Sequence, residues 1–355
     1  MAMDYEKQLD ELIGIVLKEG ASDLHFSEGR APAIRVASYL SILDKYQELS
    51  AEDIRGLADQ MLSSDQKERL VKDRSVDFAY GHADNVRFRG NAFFQQGQLG
   101  IALRLIPQEI KTLEELGLPP TLAKFAEKKQ GFFIVVGPTG HGKSTTLASL
   151  VEMINQNRLE HIITIEDPIE YVHKPVKSII DQRQVGEDAK SFAAALKHVF
   201  RQDADVIMVG EMRDRETMGT AVTAAETGHL VLSTLHTNNA SQTIDRIIDS
   251  FPPDQQGQIR LQLAGSLAGI FSQRLIPTVS GGLVPAYELL IANNAVANLI
   301  REGRTHEINT VIETSGAAGM IDMNRSLAEL VSQGEVSIED AYRFTTDPKA
   351  LERLL

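Results

Sequence analysis

Residues 132 to 146 read FFIVVGPTGHGKSTT, and this stretch decides the fold of the region around it. The apolar run from Phe132 to Val136 predicts a buried strand. The turn that follows matches the pattern G-x-x-x-x-G-K-[ST], in which a glycine-rich loop joins a strand to a helix. The sequence therefore predicts a strand, a phosphate-binding loop and the start of a helix, in that order.

The loop carries the groups that a nucleoside triphosphate requires. Its glycines let the backbone curl, so that successive N–H groups point inward at the positive end of a helix. Lys143 would place a charge between the outer phosphates, and Ser144 would offer a hydroxyl to the Mg²⁺ ion that bridges them. The predicted nucleotide-binding residues are Gly137, Pro138, Thr139, Gly140, His141, Gly142, Lys143, Ser144 and Thr145.

Length and composition limit the class of protein. A chain of 355 residues is long enough for two domains, each with its own core. The apolar runs are too short to span a membrane, which favours a cytoplasmic protein whose membrane role depends on a partner. The net charge of −13 argues against nucleic acid as a partner. Cysteine is absent, which excludes a cysteine zinc cluster.

The first hundred residues predict a small α+β domain. Residues 5 to 19 have the apolar spacing of an amphipathic helix, and short strands are predicted at 22 to 26 and 33 to 43. Residues 75 to 106 alternate polar and apolar side chains, which predicts an antiparallel meander. Arg89 and Arg104 fall on its strands. Solvated strand arginines are common, so a phosphate-binding role is one of two interpretations at this point.

Prolines at 107, 119 and 120 favour a linker over residues 107 to 120, between a first domain at 1–106 and a second at 121–355. Beyond the linker, strand and helix patterns alternate, which predicts a mainly parallel sheet covered on both faces. The predicted strands are residues 132–136, 162–166, 206–209 and 230–235. From residue 241 onward the pattern is helical, with one further strand at 284 to 291.

Polar side chains follow these predicted strands, where ligands bind in such sheets. Glu170 follows the second strand in the segment 164–171 (TIEDPIEY), Glu211 follows the third, and His229 and His236 flank the fourth. We expect Lys143, Glu170, Glu211 and His236 to converge on one place, where a charge clamp, a metal organiser and a carboxylate could support phosphoryl transfer to water. Acidic residues at strand ends are also ordinary turn residues. A zinc site at His229 and His236 is not expected, because no third ligand lies at suitable spacing.

The combined motifs resemble those of the type IV pilus retraction ATPases, the PilT and PilU family of secretion ATPases. The matching segments are SDLHF, RFRGNAF, GPTGHGKSTT, TIEDPIEY, VGEMRDRET and AETGHLVLSTLHTNNA. The resemblance implies an N-terminal PAS-like α+β domain, a C-terminal RecA-like P-loop domain, and a homohexameric ring with ATP and Mg²⁺ at each subunit junction.

The resemblance also implies roles for particular residues. Glu170 matches the catalytic carboxylate, and Glu211 matches the acidic residue that holds Mg²⁺ together with Ser144. His229 and His236 match a histidine box. Arg89 and Arg104 match arginines that reach a neighbouring subunit's phosphates, which favours the phosphate-binding interpretation of both.

Two features concern the branch of the family. Assembly and secretion ATPases carry a four-cysteine zinc module that this chain lacks, so the sequence favours ATP-driven retraction of a type IV pilus. The expected partners are a pilus platform protein at the inner face of the cytoplasmic membrane and a paralogous retraction ATPase. PilT sequences resemble A-I-R-x-x-I-R-E-G near the C-terminus, whereas this chain has Ala295, Val296 and Ala297 before Asn298. One arginine is missing, so a principal motor and an auxiliary PilU-like subunit remain alternatives.

Two further hypotheses compete with an ATPase that drives retraction. A DNA-translocating RecA-like motor would require a basic, aromatic-lined pore and would bind single strands in a salt-dependent way. A non-catalytic subunit would bind ATP and regulate a partner motor. Release of phosphate by the purified protein separates the second hypothesis from an active ATPase.

Overall fold

The computed structural model describes residues 4–36, 39–83, 86–107 and 109–355. The chain divides into two compact units, Met1–Glu109 and Ile110–Leu355. Each unit has its own sheet and its own hydrophobic core. Among the described residues, no helix is both long enough and apolar enough to cross a membrane.

The first unit is an antiparallel sheet covered on one face by helices. The strands lie in the order β3-β2-β1-β6-β5-β4, which confirms the meander predicted for residues 75 to 106. The elements are α1 Tyr5–Lys18, β1 Asp23–Ser27, β2 Ala33–Val36, β3 Tyr39–Ile42, α2 Ala51–Met61, α3 Ser64–Asp73, β4 Ser75–Gly81, β5 Arg87–Gln95 and β6 Gln98–Ile106.

Local sequence explains why these helices begin where they do. Asp4 caps α1 by accepting the Lys7 N–H, and Ser50 and Asp53 form a capping box at the start of α2. The apolar sides of α1 and α2 pack against the sheet residues that point inward, such as Leu24 and Leu103. Because side chains alternate along a strand, the neighbouring Asp23 and Arg104 belong to the other, polar face.

The second unit is a seven-stranded sheet in the order β13-β12-β7-β11-β10-β8-β9. Every neighbouring pair is parallel except β12 and β13. The strands are β7 Gly131–Val136, β8 His161–Glu166, β9 Ile179–Gln184, β10 Val206–Val209, β11 Leu230–Leu235, β12 Leu267–Pro277 and β13 Leu283–Ile291. The helices are α4 Ala123–Ala126, α5 Lys143–Asn157, α6 Phe192–Val199, α7 Arg215–Glu226, α8 Ala240–Asp249, α9 Pro253–Ser266, α10 Asn294–Glu302, α11 Ile308–Thr314, α12 Met323–Ser332, α13 Ile338–Phe344 and α14 Pro348–Glu352.

This sheet is buried on both faces, as the alternation of strands and helices predicts. Along β7, Ile134 and Val136 contact one hydrophobic cluster, whereas Phe133 and Val135 contact another on the opposite face. All six residues of β7 are buried. A buried parallel sheet of this kind leaves its strand ends as the place where polar side chains can collect.

The structure corrects the prediction that residues beyond 241 are helical except at 284 to 291. Strand β12 was missed, although it is paired on both sides, with β7 and with the edge strand β13. Helix α9 ends at Ser266 and β12 begins at Leu267, so no turn residues separate them. Apolar periodicity alone does not distinguish a buried strand from a buried helix, which explains the error. The polar strand β9 was also missed.

Two segments of the second unit pack outside the regular alternation of strands and helices: the residues before α4 and the C-terminal helices α12 to α14. Leu113 and Leu118, within the predicted linker, pack into the cluster that contains Phe133. Helices α12 to α14 form a separate hydrophobic cluster with β12 and β13, which includes Leu327, Leu351 and Ile276 of β12. The C-terminal helices are therefore attached to the sheet through β12 and β13.

Candidate nucleotide site

The phosphate loop joins β7 to α5, and two of its glycines have positive φ and lie against Gln273 of β12. Gly137 has φ +144°, and a Cβ there would lie 2.3 Å from the backbone oxygen of Gln273. Gly142 is the N-cap of α5 with φ +80°, and its Cβ would lie 3.0 Å from Nε2 of Gln273. A side chain at Gly137 would clash with the backbone of β12, and a side chain at Gly142 would be strained by the positive φ.

Lys143 lies in the first turn of α5 with its ammonium group over the loop. Its Nζ donates to the backbone oxygen of Pro138 at 2.9 Å, and the residue is 7% exposed. Burial lowers the pKa of Lys143, and the nearby carboxylates of Glu170 and Glu211 oppose this shift. The two acidic residues that were predicted to face the loop are thus close enough to act on its lysine.

Glu211 and His236 complete a chain of polar contacts with Lys143. The His236 ring lies between them, with Nδ1 3.5 Å from Nζ of Lys143 and Nε2 3.5 Å from Oε2 of Glu211. Thr139 Oγ1 also lies 3.5 Å from Nδ1 of His236. The other oxygen of Glu211 contacts Nη2 of Arg213 at 2.5 Å. A positive, a titratable and a negative group therefore lie side by side at the loop.

The segment after β8 carries two glutamates in different environments. Glu166 is buried and accepts hydrogen bonds from Thr164, Gln182 and the backbone N–H of Glu170. Burial raises the pKa of the Glu166 carboxyl, although these hydrogen bonds oppose the shift. Glu170 is exposed. Glu166 therefore orients the segment, while Glu170 has a carboxylate that solvent can reach.

Two further contacts fix this segment against helix α5. The hydroxyls of Tyr171 and Thr145 lie 2.9 Å apart, which joins the end of the segment to the first turn of α5. Farther along, Nδ1 of the buried His173 is 2.9 Å from Oε2 of Glu152. Tyr171 directly follows Glu170, so its contact places Glu170 beside the phosphate loop.

The carboxyl edge of the sheet explains this convergence. Strands β7, β11, β10 and β8 are neighbours in that order, and they end at the phosphate loop, His236, Glu211 and the Glu170 segment. Because parallel strands end at the same edge, one sheet brings the four predicted groups together. The hydroxyl of Thr234 donates to the backbone oxygen of Gly210 at 2.6 Å, which holds the ends of β10 and β11 in register.

The structure does not bring His229 to this site. His229 precedes β11, whose six residues span about 20 Å, and its backbone oxygen accepts the N–H of Gly131 at the start of β7. Its Nδ1 lies 3.0 Å from the backbone oxygen of Ala224, and its ring packs edge-on against Phe200. His229 thus lies at the opposite edge of the sheet within this chain.

Arg89 and Arg104 belong to the first unit, where they form a cross-strand pair on β5 and β6. Nε of Arg104 contacts Oδ1 of Asp23 at 2.8 Å, and Arg35 approaches the other oxygen of Asp23 at 4.0 Å. Burial opposes ionisation of Asp23, but hydrogen bonds from Ser22 and Arg104 hold its pKa below the usual value. The Arg104 side chain is 69% exposed, so its guanidinium remains accessible to a ligand.

Sequence reasoning missed three residues at the loop: Tyr171, Arg213 and Gln273. Tyr171 and Arg213 lie inside quoted motifs; Tyr171 directly follows Glu170 and Arg213 comes two positions after Glu211, which was the available signal. Gln273 contacts Gly142 and accepts a hydrogen bond from Thr146 at 2.6 Å. No motif marks Gln273, because it reaches the loop from a strand 127 positions after Thr146.

A parallel sheet with a glycine-rich phosphate loop, a loop lysine and acidic residues on neighbouring strand ends defines a RecA-like P-loop ATPase. Across the described ranges, no group of three histidine, cysteine, aspartate or glutamate side chains could hold a metal ion.

The chain belongs to the family described as "Type II/IV secretion system protein", whose sequence profile matches residues 3–350. The "Type IV pilus retractation ATPase PilT" of Pseudomonas aeruginosa is 40% identical over 333 residues, which cover 94% of this chain and 96% of that protein. The "Type IV pilus ATPase PilU" of the same organism is 42% identical over 340 residues, covering 96% and 88%. A crystal structure of the pilus retraction motor PilT with bound ADP superposes with a TM-score of 0.91 at 48% identity, covering 97% and 98%.

Proposed function

We propose that this protein is a motor ATPase that hydrolyses ATP to drive retraction of a type IV pilus. The observation that carries the proposal is the contact chain of Lys143, His236 and Glu211 at the end of three neighbouring strands, with the Glu170 segment beside it. The similarity to PilT over nearly the whole chain supports the choice of pilus retraction.

The chemistry assigns a different task to each group. Lys143 neutralises the outer phosphates, and the backbone N–H groups of the loop bind their oxygens. A hydroxyl at Ser144 and a carboxylate at Glu211 are oxygen donors that suit Mg²⁺, whose remaining ligands would be phosphate oxygens and water. When bound, the ion neutralises charge that develops on the phosphates. His236 lies between Lys143 and Glu211, where it can respond to the outer phosphate.

Glu170 is the better candidate for the residue that accepts a proton from the attacking water. Both oxygens of Glu166 already accept hydrogen bonds, one from Thr164 and Gln182 and the other from the N–H of Glu170. Its carboxylate is also removed from solvent. Glu170 is exposed, and its backbone is held by Glu166. A general base must reach the water that it activates, which Glu170 can do.

Full activity is proposed to require a homohexamer in which Arg89 and Arg104 stabilise phosphate charge in a neighbouring subunit's site. The exposure of Arg104, combined with its fixed contact to Asp23, suits an arginine that acts on another chain. His229 would also act from a subunit junction, since it lies away from the Lys143 site of its own chain. The proposed location is the cytoplasmic face of the inner membrane, through a pilus platform protein.

Release of phosphate by the purified protein, with and without Mg²⁺, tests the proposed activity. We expect turnover of ATP that requires Mg²⁺ and that disappears in Lys143→Ala. Lys129→Ala is a matched control, because it removes the same charge from an exposed position outside the loop. A folded wild-type protein that releases no phosphate under these conditions would contradict the proposal and favour a regulatory nucleotide-binding subunit.

An auxiliary role similar to that of PilU is the second candidate. The identities to the two Pseudomonas aeruginosa proteins are similar, 42% to PilU and 40% to PilT, and Ala297 stands where the PilT pattern has an arginine. Ala297 packs against the main core of the second unit, so a cationic surface group is absent there. Pilus retraction in cells that lack the paralogous ATPase separates the roles, because a principal motor retracts pili alone.

A further inference from the structure

One side chain of the phosphate loop faces away from the loop interior and contacts β12. Nδ1 of His141 accepts the backbone N–H of Leu275 at 2.9 Å. The parallel pairing of β12 with β7 ends at Ser272 and Val136, so β12 continues beyond the end of β7 and runs alongside the loop. A strand N–H that extends past its neighbour has no ladder partner, and His141 satisfies this one.

The same histidine contacts the C-terminal helices. Its ring lies edge-on to Phe344, the last residue of α13, with centroids 6.5 Å apart and planes inclined by 71°. The backbone oxygen of Phe344 accepts a hydrogen bond from Nη1 of Arg274, which directly precedes Leu275. The loop, β12 and the end of α13 therefore meet at His141.

Three consecutive residues of β12 take part in this arrangement. Gln273 lies against Gly142 and accepts a hydrogen bond from Thr146, Arg274 binds the end of α13, and Leu275 binds His141. The contacts of Gln273 hold the start of α5, whereas the contact of Leu275 holds the middle of the loop. His141 is the loop residue through which β12 can set the loop's shape.

The electrostatic environment favours the neutral form of the His141 ring, which the hydrogen bond from Leu275 requires. Burial lowers the pKa of His141, and the positive charges of Arg274 and Lys143 lower it further. The neutral ring can accept at Nδ1 only if its proton is on Nε2, so the contact to Leu275 fixes the tautomer. In a protonated ring, Nδ1 also carries a proton and would face the N–H of Leu275 as a second donor, so the hydrogen bond would be lost.

We propose that His141 is a positioning residue that holds the phosphate loop in its nucleotide-binding shape by tying it to β12 and α13. The proposal rests on the proposed function, in which this loop binds ATP. The consequence is that the C-terminal helices contribute to nucleotide affinity, although they hold none of the groups assigned to bind phosphate.

Nucleotide titration of two variants tests the role of Nδ1. His141→Ala removes the acceptor and is expected to weaken ATP binding by about tenfold, the effect of one hydrogen bond of about 1.4 kcal/mol. His141→Asn places an amide oxygen where it can accept the same N–H, and its affinity should stay within about threefold of wild type. KM should rise in His141→Ala with little change in kcat, because Lys143 and Glu170 are untouched.

A third variant tests the connection to α13. Phe344→Ala should weaken binding by less than His141→Ala, and the double variant should bind no more weakly than His141→Ala, because the contact has already been lost. Tyr342→Ala is a matched control, since it removes an exposed aromatic ring from the same helix and should leave affinity unchanged. Thermal unfolding of each variant verifies that it is folded.

The outcomes separate this inference from the proposed function. Wild-type affinity in folded His141→Ala, or equally weak binding in folded His141→Asn and His141→Ala, would overturn the role of the Nδ1 contact. Strictly additive effects of His141→Ala and Phe344→Ala would overturn the connection to α13. A wild-type protein that does not bind ATP would overturn the proposed function itself, and with it this inference.

Discussion

Two regions of the molecule hold charged groups in contrasting ways. At the carboxyl edge of the second unit's sheet, Lys143, Glu211 and His236 come from the ends of different strands and contact one another. On the polar face of the first unit's sheet, Arg89 and Arg104 lie side by side on neighbouring strands, and the buried Asp23 binds Arg104.

The comparison shows which groups of a nucleotide site a single chain brings together by itself. The carboxyl edge brings together both signs of charge, a hydroxyl and a loop of backbone donors, which are the groups that we propose to bind the nucleotide. The arginine face has accessible cations without the loop that would hold a phosphate. The first region is expected to determine nucleotide binding and to supply the general base Glu170, whereas the second is expected to affect the rate of hydrolysis without affecting binding.

The largest effect is expected from Lys143→Ala. The change removes the charge that neutralises the outer phosphates, so binding of ATP should be lost at concentrations that saturate the wild type. The measurement is a nucleotide titration of the folded variant, with Lys129→Ala as the control. Wild-type affinity for ATP in Lys143→Ala would contradict the role of the phosphate loop in nucleotide binding.

Arg104→Ala should bind ATP normally and hydrolyse it about 10³ to 10⁵ times more slowly, the range for an arginine that stabilises a transferring phosphoryl group. Steady-state phosphate release and a parallel binding titration measure the two properties. Arg35→Ala is the control, because Arg35 approaches the same Asp23. Equal losses of rate in both variants would indicate that the sheet face, rather than Arg104, is responsible.

Glu170→Gln should also bind ATP, with hydrolysis slower by about 10² to 10⁴, because the amide keeps the shape and loses the basicity. Asp167→Asn is the matched control from the same exposed segment. Single-turnover measurements separate the chemical step from product release. Hydrolysis within about threefold of wild type would assign the role to Glu166, Asp167 or Glu211 instead.

The smallest expected effect is on stability and concerns Glu288, a buried residue that supports the carboxyl edge of the sheet. Glu288 of β13 is buried and accepts the N–H of Ala240 at 2.8 Å, at the start of α8 just beyond His236. Burial raises the pKa of Glu288 to about 7; the hydrogen bond from Ala240 opposes this rise, Asp322 adds to it, and Arg274 opposes it. Because the folded-state pKa lies above the unfolded value, Glu288 destabilises the folded state increasingly as the pH rises from about 4.5 to 7.

Glu288→Gln removes this penalty and keeps an acceptor for Ala240. The variant should therefore gain stability relative to wild type between pH 5 and pH 8, by up to about 3 kcal/mol. Thermal unfolding at the two pH values measures the gain, with the exposed Glu335→Gln as the control. An unchanged difference in Tm at pH 5 and pH 8 would contradict the role assigned to burial.

The sequence predicted the site at the carboxyl edge better than the remaining contacts, because each predicted site residue lies in a short motif at the end of a strand. The loop, Glu170, Glu211 and His236 could be assembled from strand order alone. Gln273 could not, since it depends on a strand that follows a helix without a turn. His141 was predicted as a loop residue, but its partner Leu275 lies 134 positions away.

The position of His229 could have been derived from the sequence. It precedes a parallel strand whose other end carries His236, and so it had to lie at the opposite edge from the phosphate loop. The family resemblance placed both histidines in one group, although the topology separates them within a chain. The pairing of Arg104 with Asp23 required the strand register, which spacing alone does not fix.

Mixing Arg104→Ala with Glu170→Gln subunits tests most directly whether the two regions act at one site. If Arg104 acts on a neighbouring chain, mixed rings contain some junctions with an intact Glu170 from one subunit and an intact Arg104 from the next. Co-assembly is verified with differently tagged subunits, and phosphate release is measured before and after mixing. We predict that activity rises well above the sum of the two separate variants. A co-assembled mixture no more active than that sum would contradict an arginine that completes the site of another subunit.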